Sequence, residues 1–152
     1  MMINENNPKL IALLILHEGL RLSPYLCTAG KLTIGVGHNL DAKPILGVGP
    51  WTRITRERAM QILAADLQEV IIGLEKTLPW IETLNEPRQA VLVDMAFNLG
   101  LKGLLGFKKF LGSLQDKAFD KSPAHMFDSK WAQQVGYRAK RLAKMIVTGE
   151  WA

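Results

Sequence analysis

The chain has 152 residues, 48% apolar and 22% charged, which suits one compact domain or two small lobes sharing a core and excludes a disordered chain. Thirteen glycines and seven prolines without a period exclude collagen-like and low-complexity classes, and the single cysteine excludes a disulfide framework or a cysteine zinc site within the chain. The net charge of +5 is uneven: residues 1–99 hold nine cations and ten carboxylates, residues 100–152 ten cations and four carboxylates, so the second stretch favours an anionic partner.

The chain starts, Met1 to Asn7, with Glu5 and no cation, and its first apolar run, Leu10 to Leu16, is seven residues long. A membrane span needs about 20 apolar residues, and a secretory signal needs a basic start. A cytosolic protein with a reduced thiol is therefore expected. Asn7 reads as a helix cap with Pro8 at the first helical position. The helix that follows is apolar nearly all round, which places it in the middle of a core. Gly19 ends it as a left-handed cap. That leaves Glu18 at the negative end of a helix dipole and partly buried, where both effects favour the neutral carboxyl.

The texture then changes. Leu32, Ile34 and Val36 alternate with Thr33, Gly35 and Gly37, a period of two that marks a strand with one apolar face and one nearly bare face. Glycines there leave room for a ligand or another chain against the backbone. Ala29-Gly30 signals the turn, so Tyr25–Thr28 is the expected partner strand. A loop centred on Gly30 would set Cys27 opposite Thr33. Residues 40–54 form a loop rich in Pro and Gly.

Thr55 reads as the cap of a long helix to about Thr77, stopped by Pro79. Asn85-Glu86-Pro87 opens another, with Val91, Leu92, Met95, Ala96 and Leu99 facing inward. Shorter helices are expected at 107–115 and 123–132, and a last one from 137 to 147. The expected fold is α+β and predominantly helical. It has a small β-hairpin lobe at 19–54, a connecting helix at 55–77 and a helical lobe at 78–152 on which helix 7–18 packs. His17, His38 and His125 fit no metal spacing, so neither metal nor cofactor is expected.

Glu18, Cys27 and Thr33 are the candidates for chemistry. Each has an ordinary alternative: a solvated helix-end carboxylate, a small buried apolar residue and a good strand former. Their surroundings decide between the readings. His17-Glu18-Gly19-Leu20-Arg21-Leu22, then Tyr25, then Leu32-Thr33-Ile34-Gly35-Val36-Gly37-His38 resembles the active-site segment of the phage-type lysozymes, glycoside hydrolase family 24. That family has a Glu, eight residues, an Asp or sometimes a Cys, five residues, and a Thr. Ile54-Thr55 to Asp66, Ala90 to Gly100, Ser129-Lys130-Trp131, Arg138 to Arg141 and Thr148 to Trp151 resemble later parts of the family in order.

The resemblance implies a lysozyme-like fold and hydrolysis of the β-1,4 bond between N-acetylmuramic acid and N-acetylglucosamine in bacterial peptidoglycan. It implies Glu18 as general acid and Thr33 as the group that orients water. Gly35 and Gly37 would give the sugars room. Cys27 stands where most relatives carry Asp, and its role stays open: it orients water or, as thiolate, offsets charge or attacks the sugar; or it is idle; or it marks an inactive wall-binding protein. The resemblance also implies that Arg138 reaches the catalytic Glu across a cleft, that Asn98 binds the glycan or its peptide, and that His38 and Asp66 form a structural pair. The expected setting is the host cytoplasm until a holin opens the way to the periplasm. The expected state is a monomer whose partner is peptidoglycan and, through the basic C-terminal helix, an anionic outer-membrane surface. Nothing in the chain resembles a nucleic-acid-binding motif. Of the four tryptophans, Trp51 alone lies in the Pro/Gly loop and is a candidate for stacking; core packing is the ordinary reading for the others.

Overall fold

The computed structural model describes residues 3–152. The fold is α+β with helix dominant: α1 (Pro8–Glu18), β1 (Arg21–Leu26), β2 (Leu32–Gly35), β3 (His38–Asn39), α2 (Arg56–Thr77), a 3-10 turn at Pro79–Thr83, α3 (Glu86–Leu99), α4 (Leu101–Leu105), α5 (Lys108–Gln115), α6 (Ser122–Phe127), α7 (Lys130–Val135) and α8 (Tyr137–Thr148). The chain divides into two compact units, Glu5–Glu69 and Val70–Ala152 with the residues up to Asn4, and the division falls inside α2. The helix expected on the C-terminal lobe, α1, falls in the first unit.

In the first unit, Asn7 caps α1 by accepting from the amides of Lys9 and Leu10, Pro8 takes the first turn, and the Gly19 amide closes the helix on the Ile15 carbonyl. The apolar sequence does not bury the whole helix. Leu10, Leu13 and Leu14 are inside, each contributing about 1.5–3 kcal/mol of burial, while Leu16 is 61% exposed. The helix therefore lies at the side of a core rather than through its middle.

The sheet is antiparallel in the order β1-β2-β3. Its first hairpin differs from the expected register. Tyr25 pairs with Thr33 and Leu26 with Leu32, so Cys27 faces Lys31. The reason is the turn: the Gly30 amide bonds the Cys27 carbonyl and Gly30 is left-handed at φ 75°, which makes it the last residue of a three-residue loop rather than the centre. The strand expected to run through to His38 also breaks. Gly35 and Gly37, both at φ 64°, fold the chain back so that Ile34 pairs with His38 and Thr33 with Asn39. Ile34, Leu40, Ile54, Ala59 and Ile62 form the core under this sheet, with Leu20, Leu22, Leu32, Ile45, Val48 and Met60 packed on it. Thr55 caps α2 through the Arg58 amide, as the sequence indicates.

In the second unit α3 is buried nearly all round, from Gln89 to Met95 and on to Ala96. Gln89 survives in that setting because its amide is fully used: its oxygen accepts from the Ile3 amide, and its nitrogen donates to the carbonyls of Ile81 and Leu84. Arg88 donates to the Ile146 carbonyl and Asn85 to that of Gly149, so the start of α3 holds the end of α8. The single helix expected at 123–132 is two, because Ser129 ends one by donating to Met126 and caps the next by accepting from Ala132. Leu142, Met145 and Ile146 of α8 are fully buried, so the apolar face that would meet a membrane is occupied inside the fold, with Lys140 and Lys144 outside. Among the described residues no helix is long and apolar enough to cross a membrane.

Candidate active site

Glu18 ends α1, and its half-buried side chain lies back against the β2–β3 turn. A β-carbon placed on Gly37 would stand 2.9 Å from Glu18 Oε1 and 3.0 Å from its Cγ and Cδ. Only a residue without a side chain fits there, and its φ of 64° adds the same demand. The bare face read from sequence is thus put to two uses, neither of them open space. Gly37 receives the Glu18 carboxyl, and at Gly35 the gap is filled by Ala59, whose Cβ would be 3.6 Å from an added methyl.

The register sets Tyr25, Cys27, Lys31 and Thr33 on one face of the first hairpin, with Leu26 and Leu32 on the other. Cys27 is a partly exposed free thiol. Its pKa is lowered, first by a backbone hydrogen bond from Lys31 and then, against the cost of burial, by Ala29 and the Thr33 hydroxyl. Backbone N–H groups around a hairpin turn favour the thiolate, as any fixed donors favour an anion. Thr33 is buried at 4% exposure, and its hydroxyl donates to the Lys31 carbonyl at 2.8 Å. A hydroxyl has one proton and two lone pairs. While that proton is held by Lys31, the oxygen acts as an acceptor; when it turns to Cys27, it stabilises the thiolate.

Tyr25 is the member that sequence reasoning passed over, although it lies inside the quoted motif. Its pKa is raised, by burial first, then by the charge of Glu18, with Arg21 opposing and Cys27 adding to the rise. The Tyr25 phenol therefore lies within electrostatic reach of both the carboxyl and the thiol. The Arg21 guanidinium stands 4.6 Å from its ring centroid, a cation–π contact. The available signal was the strand register: had Thr33 been paired correctly, its partner would have been Tyr25.

A second cluster lies below. His38, 6% exposed, meets Asp66 through Nδ1 at 2.6 Å and the Lys43 carbonyl through Nε2 at 2.9 Å. Both neighbours are acceptors. A neutral imidazole donates from one nitrogen only, so the doubly protonated ring suits this site best, and its pKa is raised, chiefly by Asp66. Lys43 in turn pairs with Glu69. The pair ties β3 to α2 within the first unit.

Residues 16–145 match the family described as phage lysozyme. The chain belongs to the phage lysozyme family. It is 30% identical over 162 residues to the pre-baseplate central spike protein Gp5 of Enterobacteria phage T4, a match that covers 94% of this chain and 28% of that protein. It is 26% identical over 160 residues to the probable T4-type lysozyme 1 of Dictyostelium discoideum, covering 87% of this chain and 89% of the other. It is 33% identical over 85 residues to an endolysin of Acyrthosiphon pisum secondary endosymbiont phage 1, covering 56% and 53%. The chain thus spans about a quarter of the spike protein, about half of that endolysin, and most of the Dictyostelium relative.

The remaining residues singled out from the family pattern lie in the second unit and are engaged there. Arg138 donates through Nε to Asp94 Oδ1 at 2.9 Å and through Nη2 to the Asp94 carbonyl at 3.4 Å, with Asp94 fully buried. Asn98 accepts from the indole of the buried Trp131 at 2.8 Å, and Phe107 packs edge-on against the same ring. Both side chains brace helices to α3. Among the described residues, no three of the His, Cys, Asp and Glu side chains come close enough to hold a metal ion.

Proposed function

We propose that this member of the phage lysozyme family is a peptidoglycan muramidase of endolysin type, cleaving the β-1,4 bond between N-acetylmuramic acid and N-acetylglucosamine. The observation that supports it best is the carboxyl of Glu18, packed on Gly37, acting on the same Tyr25 phenol as the Cys27 thiol that Thr33 contacts. A glycosidase needs an acid on one side of the bond and a positioned water on the other. A half-buried carboxyl at a helix end can hand a proton to a glycosidic oxygen, and a hydroxyl next to a sulfur anion can grip a water.

In this reading Glu18 gives its proton to the glycosidic oxygen as the C1–O bond breaks. Water, accepted on Thr33 Oγ1, attacks C1 from the opposite face, and its proton passes to the Cys27 thiolate. One water is added across the bond and the anomeric configuration inverts. Cys27 then loses its proton to solvent and Glu18 takes one up, which restores both groups. In the cell, a separate permeabilising protein of holin type would give the enzyme access to the wall, and lysis of the host would follow.

The test compares wild type with Glu18→Gln on purified peptidoglycan and on outer-membrane-permeabilised bacteria. Removing a general acid costs about 10²–10⁴-fold, so the variant should be nearly inactive with its fold intact. Equal lysis by both would overturn the reading. Proton NMR of the first product should show the α-anomer at the new reducing end; the β-anomer would remove Cys27 from the water-activating role and make it the nucleophile.

A further inference from the structure

The two most exposed large apolar side chains among the described residues sit on one loop, and nothing in the catalytic reading uses them. Leu46 is 102% and Trp51 97% exposed. Their loop, residues 40–55, is not slack. Leu40 and Ile54 are buried in the core under the sheet, and Ile45 and Val48 pack on it. The Val48 amide bonds the Ile45 carbonyl, the Thr52 amide bonds that of Gly49, and Ile54 is tied to Leu22 of β1. The Thr52 hydroxyl accepts from the Gly49 amide at 2.8 Å. Two braced turns therefore hold residues 45, 48 and 54 inward while presenting 46 and 51 fully to the outside.

Cations outnumber carboxylates along this stretch. Residues 40–58 contain Lys43, Arg53, Arg56 and Arg58 against Glu57 and Asp41, the latter accepting from the Leu32 amide. Lys43 is paired with Glu69, and the three arginines are exposed. We infer that the loop is an interfacial anchor for an anionic lipid bilayer, with Leu46 entering the acyl boundary, Trp51 at headgroup level, and Arg53 and Arg56 on lipid phosphates. Trp belongs at the membrane interface because its ring is apolar with one polar edge, and arginine pairs phosphates with a planar fork. A sugar subsite fits less well. Sugar hydroxyls need donors and acceptors beside the stacking ring, whereas Trp51 is flanked by Pro50 and by a Thr52 hydroxyl already engaged by the loop. A bare leucine beside it gains nothing from a glycan and much from a lipid chain. The apolar face of α8, by contrast, is buried.

The test is co-sedimentation of the full chain with phosphatidylglycerol vesicles and with phosphatidylcholine vesicles at low salt. Binding to the anionic vesicles and not the neutral ones is expected, with weakening as salt rises. Trp51→Ala and Leu46→Ser should each lower the partition coefficient about tenfold, and Arg53→Ala about fivefold. Brominated acyl chains should quench wild-type tryptophan fluorescence but not that of Trp51→Ala, which retains three other indoles. Glu18→Gln should bind vesicles as wild type does, so the lipid reading and the muramidase reading fail separately. Undiminished binding by Trp51→Ala, or no preference for the anionic vesicles, would overturn the anchor, as would quenching of Trp51 by soluble peptidoglycan fragments with none by lipid.

Discussion

In the helical unit the buried polar side chains are committed to one another or to backbone: Gln89 to three backbone groups, Ser113 to Ser122, Arg138 to Asp94. In the strand unit the polar side chains that matter are left half-exposed. Glu18 and Cys27 each act on the Tyr25 phenol, and of the polar side chains in this unit only Thr33 and His38 are buried. The same residue types thus do opposite jobs. A charge buried against its partner fixes two helices to one another. A thiol held at the edge of water, with its pKa lowered by backbone donors, keeps its thiolate within reach. What separates the two sets in this chain is exposure rather than residue type.

The sharpest way to break that comparison is at Asp94. Asp94→Ala removes the buried carboxylate that accepts from Arg138 Nε, and such losses cost about 3–5 kcal/mol. Urea unfolding should show the midpoint fall accordingly. The paired replacement Asp94→Leu with Arg138→Met should recover most of that stability, since an ion pair removed whole is often neutral. Failure of the double variant to recover would mean that Arg138 is held for more than packing.

The corresponding change in the strand unit is Gly37→Ala. The added methyl would stand 2.9 Å from Glu18 Oε1 at a left-handed φ. Backbone strain of this kind costs about 1–3 kcal/mol, less than the loss at Asp94. Activity should suffer more than the fold, because a displacement of about 1 Å in a reacting group can cost 10²-fold in rate. Gly35→Ala, against the Ala59 methyl at ordinary contact distance, should share the backbone strain and spare Glu18. Equal loss of activity in the two variants would show that strain, not the carboxyl's seat, is what Gly37 provides. Next in size is Cys27→Ser, which keeps a hydroxyl but loses the anion stabilised by Lys31 and Thr33. Turnover more than tenfold lower with an unchanged melting temperature is expected, and unchanged turnover would make the thiol a bystander.

Much of this was legible in the sequence, for reasons that differ by element. Asn7-Pro8, Thr55 and Asn85-Glu86-Pro87 mark helix starts because capping is local chemistry, settled within four residues. The α+β class followed from a period that switches between two and 3.6. The hairpin register did not follow, because Gly30 can be the middle or the last residue of a tight turn and only the backbone bond to Cys27 decides. The shift moved Tyr25, not Cys27, opposite Thr33 and hid Tyr25 from the site. The break at Gly35 and Gly37 was hidden too: alternation looks the same in a straight strand and in one that folds back. Asp94 as the partner of Arg138 was out of reach, since a contact between residues 44 apart leaves no periodic trace.

The smallest effect is one of pH and concerns the pair that spans the strand unit's interior. His38 has its pKa raised by Asp66 above the ordinary histidine value of 6.5. A folded-state pKa above the unfolded one means that the native state holds the proton more tightly. The pair's contribution is therefore complete below about pH 6.5, where both states are protonated, and is lost as pH rises through the folded-state value. Comparing wild type with Asp66→Asn isolates it, because the other titrating groups are common to both chains. The difference in urea midpoint should be larger at pH 5.5 than at pH 8.5. A difference that grows toward high pH would mean that His38 is held neutral, its single proton on Nδ1 and donated to Asp66. The link from β3 to α2 would then be an ordinary hydrogen bond instead of a charged one.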